Sequence, residues 1–114
     1  MELEDYQITV TKRAKPLPTQ AQNLDHALYG IMSEAGEIAD CIKKNVIYGK
    51  PLDEVNLREE LGDLMWYIAL AANTMNWDLE EILDENNAKL EKRYPIGSFS
   101  EEQAIARADK VENT

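Results

Sequence analysis

Two short stretches of the sequence carry acids at matched spacing: Ser33–Asp40 reads SEAGEIAD and Arg58–Tyr67 reads REELGDLMWY. Each sets two acids three residues apart among apolar residues, Glu34 with Glu37 and Glu60 with Asp63. Brought to one cleft by antiparallel helices, four such carboxylates are hard oxygen donors suited to Mg²⁺ or Mn²⁺. Crowded together without a cation, they repel and raise one another's pKa. The ordinary alternative is a solvated helix face, the commoner explanation for either pair alone. Two pairs on successive helices, one of them at a core border, bring the two readings level.

The elements that must position these acids follow from the spacing of apolar residues and breakers. Pro16 and Pro18 separate an N-terminal helical segment, roughly Asp5 to Ala14, from the rest. From about Leu24, apolar residues including Leu28, Met32, Ala35, Ile38 and Ile42 recur at helical spacing as far as KKN. The run VIYGKPLD turns the chain, and Asp53 is placed to cap a third helix carrying Leu57, Leu61, Leu64, Ile68, Ala72 and Met75. Asn76 ends it. Asp78 with Glu81 predicts a capping box for a fourth helix reaching about Tyr94, and Ser100 with Gln103 another for a short C-terminal helix. Nothing alternates as a strand does. The expectation is an all-α fold, a bundle of four or five helices forming a single domain over residues 1–114.

On a wheel of 100° per residue, Glu60 falls about 60° from the centre of the third helix's apolar stripe and Asp63 about 120°, on the same flank. Glu60 therefore sits at the border of the core, where an unpaired carboxylate pays for desolvation. Glu34 flanks the stripe of its own helix, and Glu37 lies further round beside Gly30, Ser33 and Lys44. The small residues Gly30, Ser33 and Gly36 leave room either for a ligand or for a neighbouring helix. Trp66 faces away from the main stripe, which suggests a second buried surface supplied by another subunit.

With these residues in place, the chain resembles the MazG-like nucleoside triphosphate pyrophosphohydrolases of the all-α NTP pyrophosphatase superfamily, in their short single-domain form. That family's pattern is E-x-x-E, a helix-turn, then E-x-x-D, matched by Glu34, Glu37, Glu60 and Asp63. EAGEIAD, EELGDLMWYIA and NNAKLEKRYP match as well, so the resemblance spans roughly His26 to Phe99, with a core region of about 24–99. It implies Mg²⁺- or Mn²⁺-dependent cleavage of a nucleoside triphosphate between the α- and β-phosphates, with the four acids holding the metal. Many relatives carry a further acid directly before the first motif acid, where this chain has Ser33. The general base is then Glu37 or water activated by metal. A nucleotide-binding regulator without turnover, or a helical interaction module, is the alternative.

Lys89 and Arg93 lie four apart on one helix face. Composition alone favours an ordinary surface helix; the resemblance implies instead that they hold the β- and γ-phosphates, with Asn86 contacting base or sugar. Lys44 is placed either to reach a phosphate or to pair with Asp40. His26 has no zinc-ligand partner, and Cys41 no base.

A net charge of −10 over 114 residues argues against binding nucleic acid polymers or anionic membranes. There is no apolar run of bilayer length and no secretory signal pattern at the N-terminus, and one cysteine fits a reducing cytoplasm. The expected partners are a nucleoside triphosphate and a second copy or more of the chain, as homodimer or homotetramer.

Overall fold

The computed structural model describes residues 1–111, and among them every regular element is a helix. Four long helices are α1 (Leu3–Arg13), α2 (Gln20–Val46), α3 (Glu54–Thr74) and α4 (Leu79–Arg93), followed by the short α5 (Glu101–Ala106) and α6 (Ala108–Val111). The all-α expectation holds, and α6 is an element the sequence did not suggest. The chain forms two compact units, Met1–Asp78 and the residues from Leu79 onward.

In the first unit, α2 begins a turn earlier than the apolar periodicity indicates. Thr19 and Gln22 form a reciprocal capping box there, the Thr19 side chain accepting from the Gln22 N–H. Asp53 caps α3 as expected, its Oδ1 accepting from the Asn56 N–H at 3.1 Å. The far end of α3 closes in a Schellman turn: Trp77 N–H reaches Ala72 O at 2.9 Å and Asn76 N–H reaches Asn73 O at 3.0 Å. Asn76 takes the left-handed conformation that this turn demands, with φ 62°.

Helices α2 and α3 run antiparallel, because contacts join opposite ends of the two. Gln20 Nε2 donates to Thr74 O at 3.1 Å, and Cys41 Sγ lies 3.7 Å from Asp53 O. Small buried side chains on the two helices, Ala27, Cys41, Ala69 and Ala72, let them approach closely. Helix α1 docks on α3 through amides. Gln7 Nε2 donates to Asn73 Oδ1 (2.8 Å) and Trp77 O (3.0 Å), while Asn73 Nδ2 donates to Gln7 O (2.9 Å) and Thr11 Oγ1 (3.0 Å). The buried Gln7 amide and the half-buried Asn73 amide thereby answer each other, which fixes α1 with Val10 fully buried.

The apolar stripe of α2 and its continuation on α3 are not fully covered within the chain: Leu28, Met32, Ile42, Val46, Leu61 and Met65 are all exposed. Alanines and Cys41 fill the α2–α3 seam instead, and the larger apolar side chains stand outside it.

In the second unit, Ser100 caps α5, its Oγ accepting from Gln103 N–H at 3.4 Å, and Arg107 leaves the helix with φ 49°. Asp109 of α6 ties back to α4 through Arg93, as described below.

Candidate metal centre

Glu34 and Glu37 come from the middle of α2, and Glu60 from the second turn of α3, on the mutually facing sides of the hairpin. One carboxylate oxygen of each lies within 4.8 Å of one oxygen of each of the other two. Glu34 Oε2 and Glu60 Oε2 are buried and have no hydrogen-bond partner. A buried carboxylate oxygen left without a donor is costly, so its retention calls for a ligand that supplies positive charge.

The electrostatics agree. Glu60 is raised above the ordinary carboxylate range, first by the Glu34 carboxyl beside it, then by burial and by the charges of Glu34 and Asp63, with Glu37 acting in the opposite sense. Glu37 is raised first by the Glu60 carboxyl and its charge, and Asp63 adds to this. Like charges packed together without a cation behave this way. The donor set, three carboxylates from two rigid helices, fits a hard divalent cation with Glu34, Glu37 and Glu60 as its nearest ligands.

Asp63 stands just outside this triad. With Glu34, Trp66 and Tyr67 it lines a concavity of about 340 Å³. Tyr67 forms one wall, its ring meeting Trp66 edge-on at 5.1 Å and His26 at 5.9 Å. The ring also lies directly over Gly30, where a Cβ would collide with it. The small residues of α2 thus part company: Gly30 accommodates a ring from α3, whereas a Cβ at Gly36 would meet nothing. Trp66 is half-buried against Tyr67. Tyr6 of α1 belongs to the surroundings too, its phenol raised by burial and then by the Asp63 charge. Sequence spacing alone does not point to Tyr6. Tyr67 was signalled by its place one turn after Asp63, but nothing in the sequence brings α1 to Asp63.

Lys44 lies further along α2 and pairs with Asp40 at 2.9 Å, with Lys43 3.6 Å from the same carboxyl. The pairing holds Asp40 below and Lys44 above their usual ranges. Lys44 also lines, with Lys50, Cys41 and Asn56, a concavity of about 310 Å³ at the α2–α3 loop. Asn86, Lys89 and Arg93 lie on α4 in the second unit. There Arg93 makes a two-pronged pair with Asp109, Nε to Oδ1 at 3.1 Å and Nη2 to Oδ2 at 3.3 Å. Arg93 is raised and Asp109 lowered, each chiefly by the other.

A family model, the MazG nucleotide pyrophosphohydrolase domain, matches residues 22–98. The Gene 37 protein of Mycobacterium phage L5 is 37% identical over 82 residues, which cover 67% of this chain and 70% of that protein. No solved structure matches the chain.

Proposed function

The chain belongs to the MazG nucleotide pyrophosphohydrolase family, and from that premise we propose that it is a divalent-metal-dependent enzyme cleaving a (deoxy)nucleoside triphosphate to the monophosphate and pyrophosphate. The observation that carries this reading is the pair of buried, partnerless oxygens on Glu34 and Glu60, with Glu37 against them.

Glu34, Glu37 and Glu60 would hold Mg²⁺ or Mn²⁺, with Asp63 completing the set from the adjoining concavity. A cation bound there supplies Lewis-acid polarisation of a phosphoryl oxygen and a lowered pKa for coordinated water. Glu37 is the most exposed of the three acids. With Ser33 where many relatives carry an acid, its raised carboxyl is the base assigned to accept a proton from attacking water. Lys44, Lys89 and Arg93 are assigned to the phosphates and Asn86 to base or sugar. Arg93 gives two of its N–H donors to Asp109, and its planar fork has further N–H groups to offer a phosphate. All residues, 1–114, act on this reading as one domain, in the cytoplasm, where a lone buried Cys41 is at home.

The active form is proposed to be a homodimer or homotetramer. Its support is a sector of α2, about 120° wide, that contains no charged residue along the whole helix. Met32 is 63% exposed there, and Leu61 on α3 is 51% exposed. On the α2 wheel Met32 falls on the side away from Glu34 and Glu37, where a second copy would cover it. In a chain of net charge −10, self-association needs such a charge-free surface.

The test is a panel of nucleoside triphosphates with Mg²⁺ and chromatography of the products. Monophosphate with pyrophosphate is the expected outcome, lost in Glu60→Gln. Diphosphate with orthophosphate as first products would overturn the reading, and binding of nucleotide without turnover would favour the regulator instead.

A further inference from the structure

Helix α1 docks on α3 by one side and turns the other to solvent. On its wheel Ile8 lies nearly opposite the fully buried Val10 and is 49% exposed. Glu4 and Lys12, both exposed, stand about 40° to either side of Ile8 and about 6 Å along the axis before and after it. Asp5 adjoins Glu4 and is exposed too. Ile8 and the half-exposed Trp77 line, with Glu4 and Thr11, a concavity of about 310 Å³ between α1 and the turn that ends α3. The outward stripe of α1 thus has an apolar centre, an acidic arm and a basic arm.

Acids in the first turn and cations in the last suit the macrodipole of α1. The macrodipole does not account for an isoleucine at the centre of the outward stripe, nor for an exposed indole beside it. The charges of α1 also have no opposite charge three or four residues away, so pairing along their own helix is closed to them. Across a two-fold axis at Ile8 the same pattern complements itself. In an antiparallel pair of α1 helices, Ile8 meets Ile8, and Glu4 comes level with Lys12 of the second copy, with Asp5 one residue along.

We infer that this face of α1 is a further homotypic docking surface, on which a second copy of the chain lies antiparallel about a two-fold axis at Ile8. Glu4 and Asp5 of each copy meet Lys12 of the other, and Ile8 seats in the other's concavity against Trp77. Two-fold symmetry makes each of these contacts twice. An apolar centre with a tryptophan, ringed by polar groups, is the common anatomy of a protein interface. Copies that each carry a net charge of −10 repel, and charges that answer one another locally are one way to overcome this. The surface is separate from the uncharged sector of α2 and independent of metal and turnover.

The experiment is sedimentation equilibrium of the full chain carrying Met32→Lys, so that association through α2 is suppressed and the α1 face is read. A concentration-dependent dimer is expected, weakened by added salt. Reversing the acids (Glu4→Lys with Asp5→Lys) or the cation (Lys12→Glu) should each weaken it about tenfold or more, because like charges then come level. An equimolar mixture of the two reversed chains should associate again, since each offers the charge that the other lacks. Melting curves close to that of the parent would show both variants folded. A parent that stays monomeric would overturn the proposal and leave the face to a partner of another kind. A dimer indifferent to salt and to both reversals, or a mixture that fails to recover, would overturn it as well, whatever the triphosphate panel shows.

Discussion

The ring of Tyr67 lies flat against the backbone of Gly30, occupying the volume that any Cβ at position 30 would fill. That contact seats one wall of the acid-lined concavity by the absence of a single carbon. Gly30→Ala should force the ring away and destabilise the fold by about 1–3 kcal/mol, the usual scale of overpacking. Thermal melts would read the loss. Wild-type stability in Gly30→Ala would show that Tyr67 is not held there.

A second prediction concerns pH. Glu37 and Glu60 hold their protons more tightly in the fold than an ordinary Glu does, because each faces another carboxyl, with Glu34 and Asp63 close by and the Tyr6 phenol near Asp63. A group whose folded pKa is raised stabilises fully below its unfolded value, here the ordinary Glu value of 4.5, and that contribution disappears as pH rises through the folded value. In chelator, the melting temperature should therefore fall as pH climbs out of the ordinary Glu range. Glu60→Gln should flatten the slope, and saturating Mg²⁺ should restore stability at neutral pH. A metal-free stability that rises over this window by the same amount in both proteins would contradict the crowding.

The third prediction tests Lys44, whose ion pair with Asp40 is exposed on both sides. Exposed pairs of this kind add little to stability. If Lys44 also meets a phosphate, Lys44→Ala should raise KM for the triphosphate about tenfold while leaving the melting curve nearly unchanged. Unaltered kinetics would reduce Lys44 to its partnership with Asp40.

The fourth concerns the uncharged sector of α2. Met32→Lys or Leu61→Lys should shift the chain toward the monomer in sedimentation equilibrium, because each plants a charge in the surface a second copy would cover. Metal-induced stabilisation should persist, since neither side chain is one of the acids that would hold the ion. A wild-type chain that sediments as a monomer at every concentration would remove the self-association reading.

The acid motif was legible because its spacing is local: three residues on a helix place two carboxyls on neighbouring positions whatever surrounds them. The wheel also located Glu60 at the core border, where its Oε2 is indeed buried. Helix starts were legible where a cap was sought, as at Asp53, and missed at Thr19, whose capping box lies before the first apolar residue of the period. What the sequence could not convey depends on the approach of distant segments. Tyr6 meets the field of Asp63 only because Gln7 and Asn73, 66 residues apart, exchange amide hydrogen bonds. The pairing of Arg93 with Asp109 was not legible because Asp109 lies sixteen residues away, on an element too short to reveal itself by periodicity.

Cys41 closes the end of the hairpin, its thiol buried one turn beyond Glu37 and resting near the carbonyl that precedes α3. As the chain's one cysteine, it makes that junction a clock. With the side chain only 6% exposed, a thiol reagent in solution reaches it chiefly during excursions in which the two helices part, so the labelling rate tracks those openings. Because the mutual repulsion of Glu34, Glu37 and Glu60 acts across the same seam, labelling should slow when the ion that quenches the repulsion is added. The frequency with which this protein breathes would then be set by divalent cation activity, and read at a sulfur atom that takes no part in the chemistry.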